Sequence, residues 1–204
     1  MIELQCNEKI WTVVINRPEK ANSLTREMLT AIADHAEAAA ADDARAFVLR
    51  GEGKVFSAGA DLVEARAGLA VDPVWERVSG AVAALPCLTI AALNGTLAGG
   101  AMGMALACDL RICVPSAKFF YPVMRLGFLP QPSDPARMAA LIGPSRAKMI
   151  LMAGAKIEAE EALAWGLVDR IVAPDLLEET LAGLTADSCA AEAAHVAGIK
   201  AMIG

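Results

Sequence analysis

Residues 78–108 contain no charged side chain, and this stretch constrains the fold more than any other part of the chain. Its length alone would allow a membrane span. Helix-breaking residues interrupt it at Pro86, Gly95, Gly99, Gly100 and Gly103. Because of these interruptions, we interpret it as a helix, a buried strand, a glycine turn and a buried helix. The sequence therefore predicts a core segment and no membrane association.

Buried strands alternate with helices over the first two thirds of the chain. Apolar runs predict strands at residues 11–16, 46–50, 88–93 and 109–114. Asn22 or Ser23 can cap a helix whose apolar face begins with Leu24 and Met28. Strands and helices in repeated alternation imply βαβ crossovers, so we expect an α/β fold.

The last third is predicted to be mainly helical. A serine followed by Asp134 and Pro135 is a strong helix start, and a second helix is expected to begin at Gly143. A third helix over residues 158–165 should end at Gly166, before a short strand at residues 167–172. We expect one domain, residues 1–204, with an α/β core over about 1–140 and a helical region over about 141–204.

Composition limits the classes of partner. A net charge of −6 and an aromatic content of only 4% argue against nucleic-acid binding, although a small phosphorylated ligand can still bind to backbone N–H groups. The five cysteines include no C-x-x-C pair, which favours reduced thiols over a metal site or disulfides. The first residues lack the pattern of a signal peptide, so a cytoplasmic location is expected.

Two glycine-containing turns are the strongest candidates for a functional site. Residues 56–62 (FSAGADL) follow a predicted strand and open a short helix, and residues 94–100 (NGTLAGG) precede the buried helix. Glycines there let a ligand approach bare backbone N–H groups. If both turns faced one point, they would form an oxyanion hole for a carbonyl oxygen. From these residues alone, a simple tight turn with close helix–strand packing is the favoured interpretation of each.

Four segments together resemble the crotonase (enoyl-CoA hydratase/isomerase) superfamily in order and spacing. They are residues 15–24 (INRPEKANSL), 56–62, 94–100 with 108–110 (CDL), and 155–168 (AKIEAEEALAWGLV). The resemblance implies a crotonase-like fold of repeated ββα units with a helical C-terminal part. It also implies an acyl-CoA substrate in fatty acid metabolism, with coenzyme A as part of the substrate. It implies no tightly bound cofactor or metal, and a homotrimer or hexamer.

The resemblance also assigns roles to individual residues. The backbone N–H groups of Ala58 and Gly100 would hold the thioester oxygen. The residues that it places around coenzyme A are Lys20, Ala21, Ser57, Ala60, Asp61 and Leu62. Two of these have simpler alternatives, because Lys20 can be a solvated loop residue and Asp61 can cap the helix that begins there.

The chain departs from the family at both catalytic glutamates. Hydratases of the family use two glutamates as a general acid–base pair. Here Gly103 and Val123 stand at those positions, and neither can transfer a proton. We therefore expect isomerase, decarboxylase or carbon–carbon lyase chemistry through a stabilised enolate. The alternatives are a non-catalytic acyl-CoA-binding or partner subunit, or a weak hydratase that uses an unusual acid.

Other side chains are candidates for the missing acid. Gln131 matches the position where some isomerases of the family place an acid, but an amide only orients a substrate or water. Asp134 can supply a carboxylate, or it can cap the helix that starts there. Glu64 is expected on the surface, and Tyr121 is expected to pack or to donate a hydrogen bond.

The C-terminal end is shorter than the family pattern. Family members usually continue for several more helices that cover the active site and build trimers, whereas this sequence ends at Gly204. Either the sequence lacks that part, or the acyl pocket is more open and is closed by a neighbouring subunit.

Overall fold

The computed structural model describes residues 1–203 and has the predicted α/β fold. The strands are β1 (Ile2–Asn7), β2 (Ile10–Ile15), β3 (Ala46–Gly51), β4 (Val55–Ser57), β5 (Leu88–Leu93), β6 (Thr96–Ala98), β7 (Leu110–Cys113), β8 (Lys118–Phe120), β9 (Ile157–Glu158) and β10 (Arg170–Ile171). The helices are α1 (Arg26–Ala41), α2 (Leu62–Arg66), α3 (Val74–Ala83), α4 (Ala101–Leu106), α5 (Val123–Leu126), α6 (Asp134–Leu151), α7 (Ala159–Trp165), α8 (Leu177–Ala190) and α9 (Ala193–Ile203).

The larger sheet has six strands in the order β1-β2-β3-β5-β7-β10. Only β1 runs antiparallel to its neighbour, and the other pairs are parallel. Both faces of this sheet are covered. Successive side chains of a strand point to opposite faces, and in β3 the side chains on each face are buried. In β3, Phe47 and Leu49 join the main core, whereas Val48 packs in a second cluster with Leu177 and Leu181 of α8. This explains why β3 is a continuous apolar run in the sequence.

A smaller sheet positions the candidate site. Its four strands lie in the order β4-β6-β8-β9, and β4, β6 and β8 run parallel. The carboxyl ends of parallel strands meet at one edge of a sheet, which is where open α/β sheets bind ligands. The chain segments that follow these three strands therefore lie side by side.

The predicted start of the first helix is corrected by the structure. The cap of α1 is Thr25, whose hydroxyl accepts from the Met28 N–H at 3.2 Å. Asn22 is instead fully buried, and its side-chain amide donates to the carbonyl oxygens of Glu52 and Val55. It therefore holds two loops together rather than starting the helix.

The helical region also differs in detail from the prediction. The two helices expected around residue 143 are the halves of α6, which bends at Gly143, where φ is 79°. The expected division near residue 140 thus falls inside α6. The strand predicted over residues 167–172 is reduced to β10.

The uncharged stretch forms most of α3 together with β5, β6 and α4, and all of α4 is buried. Within residues 1–203, no helix combines the length and apolar character that a membrane crossing requires. The stretch is thus built into the core from four short elements.

Candidate active site

The two glycine turns meet at the edge of the smaller sheet. Gly59 and Gly99 both adopt left-handed conformations, with φ of 91° and 59°. A Cβ atom built on Gly59 would lie 2.9 Å from the Ala98 carbonyl oxygen and 3.5 Å from the Gly100 nitrogen. A side chain at Gly59 would therefore separate the turns, and the sequence keeps glycine where the backbones touch. The convergence that local sequence patterns leave open is thus established.

The two predicted oxyanion donors differ in their hydrogen bonds. The Gly100 N–H, directly before α4, donates to no acceptor within residues 1–203. The Ala58 N–H, in contrast, donates to the carbonyl oxygen of Ala21 at 3.0 Å. In this structure Gly100 is the free donor, and Ala58 is engaged with the loop that was predicted to contact coenzyme A.

A pocket of about 130 Å³ opens at the converged turns. Its walls are mostly apolar and include Ala60, Leu62, Val123, Leu126 and Phe128 together with the turns themselves. A larger cavity of about 650 Å³ lies elsewhere, between α8, α9 and the larger sheet, and its lining includes neither of the two glycine turns. The smaller pocket is the candidate active site because it contains the predicted donors.

Trp75 of α3 forms one wall of this pocket. Its indole N–H donates to the Leu69 carbonyl oxygen at 2.8 Å, which fixes the orientation of the ring. Three ring atoms lie 3.2 Å from the position that a Cβ on Gly100 would occupy. The ring therefore packs directly against the backbone at Gly100.

The residues predicted to contact coenzyme A divide into exposed and internal groups. Lys20 is exposed on the short 3-10 turn Pro18–Lys20, and Ala21 follows it beside Ala58. Ser57 is fully buried, where its hydroxyl donates to the Asn22 carbonyl oxygen at 2.8 Å and accepts from the Gly59 N–H at 3.1 Å. Ser57 therefore braces the first glycine turn and does not line the pocket.

Asp61 caps α2, as one of its two interpretations predicts. Its Oδ1 accepts from the Val63 N–H at 3.0 Å, and its Oδ2 pairs with Arg17 at 2.9 Å. The hydrogen bond from Arg17, followed by that from Val63, holds the pKa of the Asp61 carboxyl below its usual value. Glu64 is also in use as a cap, because its carboxylate accepts from the Arg26 N–H at the start of α1.

Asp134 is buried in the protein and does not cap α6. Its side chain has no exposed surface, and its Oδ2 accepts from the Tyr121 hydroxyl at 2.9 Å. Its Oδ1 has no hydrogen-bond partner within residues 1–203. The helix is capped from outside, by the Glu76 carboxylate, which accepts from the Ser133 N–H at 3.1 Å and from the Ser133 hydroxyl at 2.6 Å. The predicted capping role of Asp134 is therefore wrong.

Burial raises the pKa of Asp134 to about 7. The negative charge of Glu76 raises the pKa further, whereas the hydrogen bond from Tyr121 and the charge of Arg137 lower it. The pKa of Tyr121 is also raised, first by burial and then by the neighbouring carboxyl. Such pairs of perturbed groups are concentrated in active sites.

The Asp134 carboxyl takes up the space beside Gly103. A Cβ atom on Gly103 would lie 2.5 Å from Asp134 Oδ1 and 3.1 Å from both Cγ and Oδ2. The first position at which the resemblance expects a glutamate is therefore filled by a carboxyl group that comes from α6.

Gln131 supports this arrangement. Its side chain donates to the Ala70 carbonyl oxygen at 3.0 Å, and its backbone N–H donates to the Tyr121 hydroxyl at 3.4 Å. The sequence did not identify the link from Tyr121 to Asp134. A sequence signal existed, since Tyr121 is the only tyrosine and directly follows a strand that ends at this edge.

Within the part of the chain that the structure describes, no group of three His, Cys, Asp or Glu side chains is arranged to hold a metal ion. All five cysteines are free thiols in the structure.

Comparison with known proteins gives a consistent result. Residues 5–203 match the family model described as enoyl-CoA hydratase/isomerase. YngF of Bacillus subtilis, named for the enoyl-CoA hydratase/isomerase family, is 38% identical over 193 residues, which cover 89% of this chain and 74% of YngF. EchA8 of Mycobacterium leprae, named as a probable enoyl-CoA hydratase, is 36% identical over 87% of this chain and 71% of its own length.

Solved structures agree with this match. PA4980 of Pseudomonas aeruginosa superimposes with a TM-score of 0.90 at 31% identity, covering 99% of this chain and 90% of that one. An enoyl-CoA hydratase from Bacillus anthracis superimposes with a TM-score of 0.91 at 32% identity, covering 99% of this chain and 81% of that one.

Proposed function

The chain belongs to the enoyl-CoA hydratase/isomerase family, and on that premise we propose that it binds an acyl-CoA thioester and stabilises its enolate at the converged glycine turns. The observation that carries the proposal is the free Gly100 N–H at the floor of an apolar pocket. A backbone donor fixed in this way stabilises negative charge on a carbonyl oxygen without reorganising during the reaction.

Ala58 is the second proposed donor, and it acts together with the loop at Ala21. Its N–H donates to the Ala21 carbonyl oxygen when the pocket is empty. A thioester oxygen between the turns would compete for this N–H. Binding of the thioester and placement of the loop that carries Lys20 would thus be coupled.

The proposed reactions are isomerisation, decarboxylation or carbon–carbon cleavage rather than standard hydration. Each of these passes through an enolate, which the oxyanion hole stabilises, and isomerisation and decarboxylation need no group that activates water. Gly103 and Val123 leave the two family glutamate positions without a carboxyl group of their own. The same observation supports a second candidate, a non-catalytic acyl-CoA-binding or partner subunit.

The assembly is proposed to be a homotrimer or hexamer. Support comes from exposed apolar side chains outside the pocket, where Met124 and Met152 are 57% and 58% exposed and line one groove. Light scattering on the eluting protein should give three or six copies, and a monomer at micromolar concentration would contradict this.

Acetoacetyl-CoA tests the oxyanion hole, because its enolate has its own ultraviolet absorbance band. We expect binding to produce this band at a pH where the free thioester is un-ionised. Gly100→Pro removes the N–H and should weaken the enolate complex by about 100-fold or more. Gly100→Ala is the matched control, since it crowds Trp75 but keeps the N–H.

Two measurements separate the candidate functions. Crotonyl-CoA should keep its enoyl absorbance if hydration is absent, and butyryl-CoA in deuterated water should gain deuterium at the α-carbon if the protein is an enzyme. Calorimetric binding of CoA esters without exchange would favour the binding subunit. An enolate band that persists in Gly100→Pro would overturn the oxyanion assignment.

A further inference from the structure

The pocket contains one titratable side chain among residues 1–203, that of Tyr121. The other lining residues are apolar, apart from Gln131, whose amide cannot act as a base near neutral pH. Any proton exchanged between a bound thioester and this protein at the pocket wall therefore has to pass through Tyr121 or through solvent.

Tyr121 links the pocket to a buried carboxyl. It is 4% exposed, lines the pocket and donates its hydroxyl hydrogen to Asp134 Oδ2 at 2.9 Å. Asp134 is 0% exposed and leaves Oδ1 without a partner within residues 1–203. A buried carboxyl with an unpartnered oxygen costs stability, so its retention beside the pocket calls for a role.

We propose that Tyr121 is the catalytic residue that exchanges a proton with the α-carbon of the bound thioester, and that Asp134 is the positioning residue that accepts the proton of Tyr121. This inference rests on the proposed function, because it needs a thioester oxygen held at Gly100. The carboxyl of Asp134 thus replaces, from α6, the glutamate that is absent at Gly103.

The proposed step is balanced without any other reactant. The α-carbon C–H bond breaks, and its electron pair forms the enolate whose oxygen is held at Gly100. The released proton bonds to the Tyr121 oxygen while the original hydroxyl proton moves to Asp134 Oδ2. Nothing is oxidised or reduced, and the reverse transfer returns a proton to carbon and restores both side chains. Deuterium enters the α-carbon when the proton on Tyr121 exchanges with solvent before that return.

The surroundings of Asp134 suit this exchange. Its pKa of about 7 makes the carboxyl nearly as stable protonated as ionised near neutral pH. The charged and titratable groups facing it are Tyr121 after β8, Glu76 on α3 and Arg137 on α6, while α4 presents only Gly103. Removing the charge of Glu76 should lower the pKa of Asp134.

The test compares deuterium exchange at the α-carbon of butyryl-CoA with enolate formation from acetoacetyl-CoA. We expect Tyr121→Phe and Asp134→Asn each to slow exchange by about 100-fold while butyryl-CoA affinity stays within about threefold. The acetoacetyl-CoA enolate band should remain, because its α-proton is acidic enough to leave to solvent. Exchange at the wild-type rate in either variant would overturn the proposal.

The pH profile distinguishes proton transfer from a purely structural role. Wild-type exchange should rise with pH through about 7 as Asp134 ionises. Glu76→Gln should move this midpoint to lower pH and keep the plateau rate, whereas the residual exchange of Asp134→Asn should show no such midpoint. A midpoint unmoved by Glu76→Gln and still present in Asp134→Asn would refute the role of Asp134.

A spectroscopic readout does not depend on turnover. Because Tyr121 is the only tyrosine, ¹³C-tyrosine labelling gives a single ring signal. This signal should titrate with a midpoint near 7 in the wild type and should not do so in Asp134→Asn. A pH-independent signal in the wild type would contradict the proposal. Absence of the acetoacetyl-CoA enolate band from the wild type would instead refute the proposed function itself.

Discussion

Gly103→Ala should change stability with opposite signs in two backgrounds. In the wild type, the new Cβ would lie 2.5 Å from Asp134 Oδ1, about 0.9 Å closer than the 3.4 Å at which ordinary contacts begin. Asp134 cannot retreat easily, because its backbone begins α6 and its Oδ2 is held by Tyr121. Overpacking of this kind costs about 1–3 kcal/mol, which exceeds the gain of about 1 kcal/mol from replacing a helical glycine by alanine.

In an Asp134→Ala background the clash is absent, since the three atoms nearest the new Cβ all belong to the Asp134 carboxyl. Gly103→Ala should then stabilise the protein by about 0.5–1 kcal/mol through helix propensity alone. The coupling between the two substitutions should therefore be about 2 kcal/mol, although Asp134→Ala itself leaves the Tyr121 hydroxyl without its acceptor.

Urea denaturation of the four variants measures this coupling. Gly80→Ala on α3 is the matched control, because nothing lies within 4 Å of its Cβ position, and it should stabilise both backgrounds equally. Effects of Gly103→Ala that are equal in the two backgrounds, within about 0.5 kcal/mol, would refute the placement of the carboxyl beside Gly103.

Three further predictions follow from individual contacts. Because the folded-state pKa of Asp134 is about 7 against an ordinary value of 3.8, its contribution to stability is present at acid pH and is lost as pH rises between these values. The free energy of unfolding of Asp134→Asn should therefore rise relative to that of the wild type as pH increases over this range, by up to roughly 4 kcal/mol in urea titrations. A difference that stays constant with pH would contradict the raised pKa. Asp61→Ala should lower the free energy of unfolding by about 1 kcal/mol through loss of the α2 cap, whereas Asp61→Asn should retain most of the stability that the cap provides. Equal losses in the two variants, measured by thermal unfolding, would assign the effect to the Arg17 ion pair. Lys20→Ala should weaken CoA binding several-fold at low salt and little at high salt, as measured by calorimetry. Lys9→Ala is the control and should have no effect. A change in affinity that does not depend on salt would exclude a phosphate contact.

The sequence predicted the long helices and the buried parallel strands, but it did not predict β1. Buried strands such as β3 and β5 are continuous apolar runs, and the starts of α4 and α6 follow glycine or proline signals. The short strands of the smaller sheet were recognised less well, because three residues such as Thr96–Ala98 carry too little periodicity to identify. The capping of α1 was misplaced because Asn22, Ser23 and Thr25 are all good cap residues, and tertiary contacts of Asn22 decide among them.

The candidate site was predictable only in part. The glycine motifs and the family resemblance located the turns, but their convergence depends on the parallel pairing of β4 with β6, which no local pattern reveals. Asp134 was assigned a capping role from its neighbours in sequence, whereas its burial against Tyr121 and Gly103 depends on how α6 packs on α4. The engagement of the Ala58 N–H with Ala21 is likewise a contact between distant segments.

The position of Trp75 against Gly100 also gives the protein an internal optical reporter. The chain has three tryptophans, and of these only Trp75 lines the candidate pocket, while Trp11 lies in β2 and Trp165 in α7. A thioester entering beside Gly100 would change the surroundings of this indole and therefore its emission. The difference in fluorescence between the wild type and Trp75→Phe therefore isolates pocket occupancy, and it allows acyl chains of different length to be ranked without a chemical reaction.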